Sequence, residues 1–470
     1  MKVARLDRPI RASMLMTDGW RMDAAPYLSG KTEAVLALAR LKTEPLASLC
    51  AGHEGGIFRG PQHRRMFVSD PTTGVPFLGS SDMLMADLSR LPLQNAKYVQ
   101  SEKMACLQIA PGTSLISCSG TIGRTVYARP DMAHMWSSEH IMKICPDTDR
   151  IPSGYLYAYL ASRIGYALVT SGTYGSMIVG LEPQHLADIP VPRLGRLEAT
   201  VHREVQRAAE LRAAWQAAIQ EATAEVFASV GLRDITALEW HARHDQDLGY
   251  AVRPVEAHSF LALNYSQRAR DLTAKIRTAK HRPLIELVKP GTLGRGLRFK
   301  RIEALRGHGT MLIGQKDLFT INPEGRIIAT WGIEDDAWLE EGTTLIACRG
   351  TLGEFEVYCQ CAMVFGEWKN FAFTEDVMRV DPNHDQIEPG FLFVYMRSHS
   401  AFRLLRCMSY GTKLQEFSPT LLRQMPVPYP DKRIRTRIHE SVMDAFAGRA
   451  EADRLERDAI ARVERAIDEE

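Results

Sequence analysis

The segment from Gly112 to Gly123 reads GTSLISCSGTIG, and it returns 230 residues later as GTTLIACRGTLG, Gly342 to Gly353, with eight of twelve positions identical. Of the four exchanges, Ser114/Thr344, Ser117/Ala347 and Ile122/Leu352 are close in size, whereas Ser119/Arg349 is not. A period this long is not that of a solenoid unit. It marks two copies, each large enough to own a core.

The repeat extends well beyond that segment. Pro45-Leu46-Ala47-Ser48-Leu49 answers Pro283-Leu284-Ile285-Glu286-Leu287, and Arg59-Gly60 and Arg64-Arg65 answer Arg295-Gly296 and Lys300-Arg301. After the central segment the offset moves from 230 to 236, so copy two carries six extra residues there. Glu139 to Ile144 then matches Glu375 to Val380, Tyr174-Gly175-Ser176 matches Tyr410-Gly411-Thr412, and Pro190-Val191-Pro192 matches Pro426-Val427-Pro428. Within a copy the pattern is mixed α/β. Leu115 to Cys118 and Leu345 to Cys348 read as short buried strands ending at glycine turns, and Ile141 to Ile144 and Val377 to Val380 as further strands. Tyr155 to Val169 and Phe391 to Leu405 read as one helix each. Pro-Val-Pro closes each domain, because proline continues neither a helix interior nor a ladder.

A different pattern follows each Pro-Val-Pro. Val201, Val205, Ala208, Leu211, Trp215, Ala218, Ala222 and Val226 recur at steps of 4, 3, 3, 4, 3, 4 and 4. Ile438, Val442, Ala445, Gly448, Ala452, Leu455, Ala459 and Val463 repeat those steps 237 residues on. This is the apolar seam of two long helices that pair as a coiled coil. A helix of about 30 residues is about 45 Å long. If the pair is antiparallel, a pseudo-two-fold object results, with similar domains spaced by a rod. One turn of B-DNA is about 34–36 Å, so two readers held this way would touch successive major-groove faces and read a bipartite site with an unread spacer.

Charge bears on that expectation locally rather than globally. The net charge of the chain is only +2, but between Arg268 and Arg306 twelve Lys/Arg stand against three acids. Such a run, which includes Arg295, Arg298, Lys300 and Arg301, suits phosphate contact, as do Arg59, Arg64 and Arg65 in copy one. The Tyr174-Gly175-Ser176 and Tyr410-Gly411-Thr412-Lys413 loops are further candidates, and Arg349 in the second glycine turn has a guanidinium to offer a base edge. The turns themselves read first as structural, their glycines supplying positive φ.

Catalytic patterns are missing. Gly30-Lys31-Thr32 ends like a phosphate-binding loop, but Ala25 stands where its first glycine belongs. No H-E-x-x-H or G-x-S-x-G set is present, and Asn322-Pro323-Glu324-Gly325 reads as a turn. His140 has Asp376 as its counterpart, which argues against a shared metal or acid-base role. The eight scattered Cys include no CxxC pair, so neither a disulfide framework nor a zinc site is expected. The charged first twenty residues do not form a signal peptide, and no apolar run approaches the roughly 18 residues of a membrane span, so a soluble cytoplasmic protein is expected.

Nearly the whole chain resembles the specificity (S) subunits of type I restriction-modification systems. The resemblance rests on the paired GTxLIxCxGTxG segments, the paired Tyr-Gly-Ser/Thr loops, the paired Pro-Val-Pro endings and the helix after each, in duplicated order. It implies two target-recognition domains of α/β type (1–195 and 233–430) joined by antiparallel helices (196–232 and 431–470), each domain reading one half of an asymmetric site in double-stranded DNA. It also implies that the helices dock two methyltransferase (M) subunits carrying S-adenosylmethionine, that restriction (R) subunits using ATP and Mg join them, and that this chain holds no cofactor or metal. Three other readings stand beside it: the reader of a related phage-defence complex, a self-contained DNA methyltransferase, and a scaffold that binds only protein.

Overall fold

The computed structural model describes residues 30–171, 180–243 and 259–469, with a few isolated positions outside them. The chain divides into two compact units, one formed by Met1–Leu84, Leu91–Ala213 and Glu451–Glu470, the other by Met85–Arg90 and Ala214–Ala450. Each contains one copy of the repeat, except that Met85–Arg90 of copy one belongs to the second unit.

In the first unit the repeated segment forms the strand Ser114–Ser117, buried at every residue. It lies inside a four-stranded antiparallel sheet, between Ile141–Ile144 and Thr125–Tyr127, with Ile57–Arg59 at the edge beyond Ile141–Ile144. A strand covered on both faces has to be apolar throughout, which is why its alternation is lost. The second unit repeats this order with Gly294–Arg295, Val377–Val380, Thr344–Ala347 and Cys361–Met363. Even the register is kept, Leu115 facing Lys143 in one and Leu345 facing Arg379 in the other. A second sheet, four-stranded in the first unit and three-stranded in the second, contains a parallel pair in each, Phe77 beside Trp136 in one and Leu312 beside Ala372 in the other.

Pro-Val-Pro does not end a ladder. It forms one: Pro190–Pro192 pairs antiparallel with Thr43–Pro45, and Pro426–Pro428 with His281–Pro283. Two-stranded ladders are all edge, where a missing N–H is tolerated. The single helix expected over Tyr155 to Val169 is instead two, Ser153–Ala161 and Arg163–Ser171, and Phe391 to Leu405 likewise divides into Pro389–Arg397 and His399–Cys407. Ser162 and Ser398 are extended (ψ 160 and 159) and break the helix. Their hydroxyls then accept from the amides of Gly165 (3.1 Å) and Ala401 (3.0 Å), capping the next helix.

The long helices run over Arg196–Ala228 and Lys432–Glu469. Within the first unit, Glu204 pairs with Arg462 at 3.3 Å and Arg212 with Asp453 at 2.7 Å, so the two segments are antiparallel there. Within the second, Glu225 pairs with Arg437, and Trp215 meets Phe446 at 5.7 Å, again antiparallel. Of the seam residues, Val201, Val205, Ala208, Trp215, Ala222, Val226, Ile438, Val442, Ala452, Ala459 and Val463 are buried. Leu211, Ala218, Ala445, Gly448 and Leu455 are only half-buried, while Arg212, Ile219, Phe446 and Glu456 are buried in their place. A simple heptad seam therefore misdescribes the middle of the pair. The buried face is broader because parts of both helices also pack on the first unit: Val201, Val205, Ala209, Ala459, Val463 and Ile467 all belong to its main core, with Tyr155 and Leu156.

One docking device is duplicated. The Gly154 amide donates to His202 Nδ1 at 3.0 Å, and the Gly390 amide to His439 Nδ1 at 3.1 Å. A Cβ on Gly154 would lie 2.9 Å from the His202 backbone, and one on Gly390 3.0 Å from the His439 ring, so both positions need glycine for close approach. Tyr159 and Tyr395 similarly donate to the carbonyls of Pro190 and Pro426, tying the same helix to the Pro-Val-Pro strand in each copy.

Candidate nucleic-acid interface

The basic run between Arg268 and Arg306 does not present its charge on one face. Arg268 lies 4.4 Å over the Trp240 ring and Arg282 5.2 Å over that of Tyr429. Lys280 and Lys289 pair with Asp431 (3.2 Å) and Glu340 (2.6 Å), acids far away in the sequence. The local excess counted in the sequence is therefore partly neutralised, and it is spread over the second unit rather than gathered.

What does gather is a set of arginines at the edge of the four-stranded sheet. In the second unit Arg295, at the end of the edge strand Gly294–Arg295, pairs with Asp376 (3.1 Å) and Glu416 (3.4 Å). Arg349, in the turn after Thr344–Ala347, reaches the same two acids at 3.5 and 3.0 Å. Tyr410 donates its hydroxyl to Glu416 at 3.1 Å. Arg298 and Arg301 both contact Glu375, and Lys300 stands 5.9 Å over Trp331, which is 73% exposed. Thr412 and Lys413 are exposed in the turn of a hairpin whose strands are Ser409–Tyr410 and Glu416–Phe417. Burial, the Glu416 hydrogen bond and its charge push the Tyr410 phenol above its ordinary value, so it stays protonated as a donor.

The first unit has a sparser version. Arg59, at the end of the edge strand Ile57–Arg59, is held by both oxygens of Glu182 at 2.8 Å. Arg65 pairs with Glu139 at 2.9 Å and lies 5.8 Å over Phe77, and Arg64 is exposed beside it. Tyr174 and Ser176 lie outside the described residues. The acids that organise these arginines were absent from the candidate set, although Glu139 and Glu375 begin one of the matched stretches.

The glycine turns differ between copies. Gly120 and Gly123 adopt φ of 73 and 83 and need glycine; Gly350 and Gly353 are not in the left-handed region, so the expectation of positive φ fails for copy two. There the six extra residues lengthen the turn, and the Gly350 carbonyl instead accepts from the Gln415 amide at 2.8 Å, joining the turn to the hairpin that carries Tyr410. Among the described residues no His, Cys, Asp or Glu group suits a metal ion, the eight cysteines are free, and no helix is long and apolar enough to cross a membrane.

No family model matches the chain, and no curated protein sequence does. It is similar to solved structures of type I restriction-modification S subunits. The S subunit from M. genitalium aligns over 91% of this chain and 95% of its own, at 11% identity and a TM-score of 0.37. The HsdS subunit from Thermoanaerobacter tengcongensis aligns over 91% and 96%, at 14% identity and a TM-score of 0.25. A chain from a structure of type I R-M complex assembly and conformational transition aligns over 91% and 95%, also at 14% and 0.25.

Proposed function

We propose that this chain is the DNA-specificity subunit of a type I restriction-modification complex, reading an asymmetric bipartite site and leaving catalysis to its partners. The observation that supports this most is the strand-for-strand match of the main four-stranded sheet in the two units, each with arginines at the same sheet edge. Two equivalent surfaces with unlike side chains suit two half-sites of unlike sequence. Arg295, Arg298, Arg349 and Tyr410 in one unit, and Arg59, Arg64 and Arg65 in the other, are the candidate phosphate and base contacts. The long helices would hold the M subunits, which would bring S-adenosylmethionine; R subunits would bring the ATP- and Mg-dependent step.

Two measurements test the proposal. Binding of the full chain to duplex DNA should weaken steeply as salt rises from roughly 50 to 200 mM, because each neutralised phosphate releases counterions. Methylome sequencing of a host with and without the chain should show one bipartite mark lost. A salt-independent signal, or an unchanged methylome, would overturn the reading.

A further inference from the structure

Among the ion pairs of the described residues, one is repeated residue for residue. Arg65 pairs with Glu139 and Arg301 with Glu375, across 74 residues in each case, at the same repeat offset of 236. Their surroundings have diverged. Phe77, under Arg65, has Leu312 as its equivalent, and His140, next to Glu139, has Asp376. Arg59 keeps its arginine in copy two but not its partner, since the Glu182 position holds Ser418. The pair persists while its neighbours change.

The geometry is lopsided. In each pair the acid is the more buried member: the Glu139 and Glu375 side chains are 14% and 20% exposed, those of Arg65 and Arg301 40% and 32%. Burial pushes both carboxyls up, but backbone hydrogen bonds and the facing arginines outweigh it and hold each below its ordinary value. The acid is thus a fixed, charged anchor, and the guanidinium is the part that faces outward. Arg65 donates to Glu139 through one nitrogen, Nη2. A guanidinium has five N–H donors in a rigid fork, so most remain for another acceptor. Glu139 Oε2 is buried with no hydrogen-bond partner among the described residues. A carboxylate placed only to stabilise the fold would be expected to satisfy that oxygen.

We infer that Glu139 and Glu375 are positioning residues for sequence recognition: each clamps one edge of an arginine fork, Arg65 or Arg301, and aims the rest at a guanine edge, one in each half-site. The assignment rests on the DNA-reading function proposed above. A clamped fork suits the two major-groove acceptors of guanine, O6 and N7, because both hydrogen bonds need one fixed plane.

The test is selection of bound duplexes by the full chain from a library with two randomised segments. The wild type should return two short motifs. Arg65→Ala should erase preference at one position of one motif. Glu139→Gln, which keeps the shape and removes the charge, should lower discrimination at that same position roughly fivefold to a hundredfold, and nowhere else. Arg301→Ala should do this in the other motif, and Glu375→Gln should weaken the same position, with any further position it weakens also weakened by Arg298→Ala, since Glu375 holds Arg298 at 3.6 Å as well. The double variant Arg65→Ala/Glu139→Gln should select as Arg65→Ala does alone, since the acid acts through the arginine. Unchanged melting of the glutamine variants separates aiming from folding. If the wild type selects nothing, the DNA-reading function is wrong and the inference falls with it. If the wild type selects two motifs but the glutamine variants keep both, or weaken both motifs uniformly, the clamp alone is wrong.

Discussion

Arg212 and Arg449 occupy equivalent places on the two long helices, 237 residues apart, and their environments are opposite. In the first unit Arg212 is buried and bonded to Asp453 and Glu456, while Glu456 also accepts from the Tyr157 hydroxyl at 2.7 Å. In the second unit Gln216 and Ile219 stand where those acids would be, and Arg449 lies 4.9 Å over the Trp215 ring. There the helices meet through rings instead: Phe446 contacts Trp215, Phe393 and Phe365 at 5.7, 5.3 and 5.8 Å. One duplicated helix pair has thus been fixed by buried ions at one place and by aromatic packing at the other. Buried charges are unforgiving of partial loss, because the ion left behind keeps its desolvation cost. Ring packing is lost in proportion to what is removed.

That difference sets the largest expected effect. Arg212→Ala strands Glu456 and should cost about 3–5 kcal/mol, seen as loss of amide protection in the first unit. Its equivalent, Arg449→Ala, removes a half-buried cation over the Trp215 and Trp368 rings and should cost less than Arg212→Ala. Equal costs would erase the distinction. The glycine–histidine contacts sharpen the comparison from the other side, because they are the same in both units. Gly154→Ala and Gly390→Ala each force a methyl into the helix opposite and should each cost about 1–3 kcal/mol. Since Gly154 faces backbone and Gly390 first meets a ring nitrogen that can shift, Gly154→Ala should be the worse of the two.

Acid separates the units again. His399 has Arg163 as its counterpart, and burial, with Arg90, Arg403 and Arg397 nearby, pushes its pKa down from 6.5 to about 3. The folded state therefore holds this histidine neutral where the unfolded chain would protonate it. Its contribution to stability is full above about pH 6.5 and is lost as pH falls toward 3, about 2 kcal/mol between pH 7 and pH 5. Hydrogen exchange at the two pH values should show that loss in the second unit, and His399→Gln should flatten it. An unaltered slope in that variant would show that other groups carry the acid response.

The sequence made the duplication, two central strands of each copy and the existence of both long helices legible, because repetition and periodicity are local marks. It did not reveal how the repeats were filled. The helix breaks at Ser162 and Ser398 were hidden because apolar spacing carries through both. Arg212 and Glu456 read as solvated flanks of a seam, yet three-dimensional pairing buries them. The candidate arginines were found by type, but the acids facing them come from 27 to 123 residues away. Charge counted along a stretch therefore overstated what the surface offers. Lys143, fully buried with its ammonium donating to Ser137 at 2.6 Å and its pKa pushed by burial down to about 8, gave no sign in an ordinary strand pattern.

The smallest expected effect concerns the acids over the candidate interface. Asp376 pairs with Arg295 and Arg349 in the second unit; its equivalent, His140, offers no carboxylate, and Arg59 is held by Glu182 instead. For DNA to reach Arg295 or Arg349, a phosphate must displace the carboxylate, which reduces the counterions released per arginine engaged. Asp376→Asn keeps the size and a hydrogen-bond acceptor but removes the charge. Binding to a fixed duplex should then tighten at low salt, and the slope of log affinity against log salt should steepen by up to about one unit. The arginines must be present for this to happen. Asp376→Asn on an Arg295→Ala/Arg349→Ala background should change the slope much less, and an equal change on both backgrounds would mean the acid acts through the general field rather than by holding those two side chains.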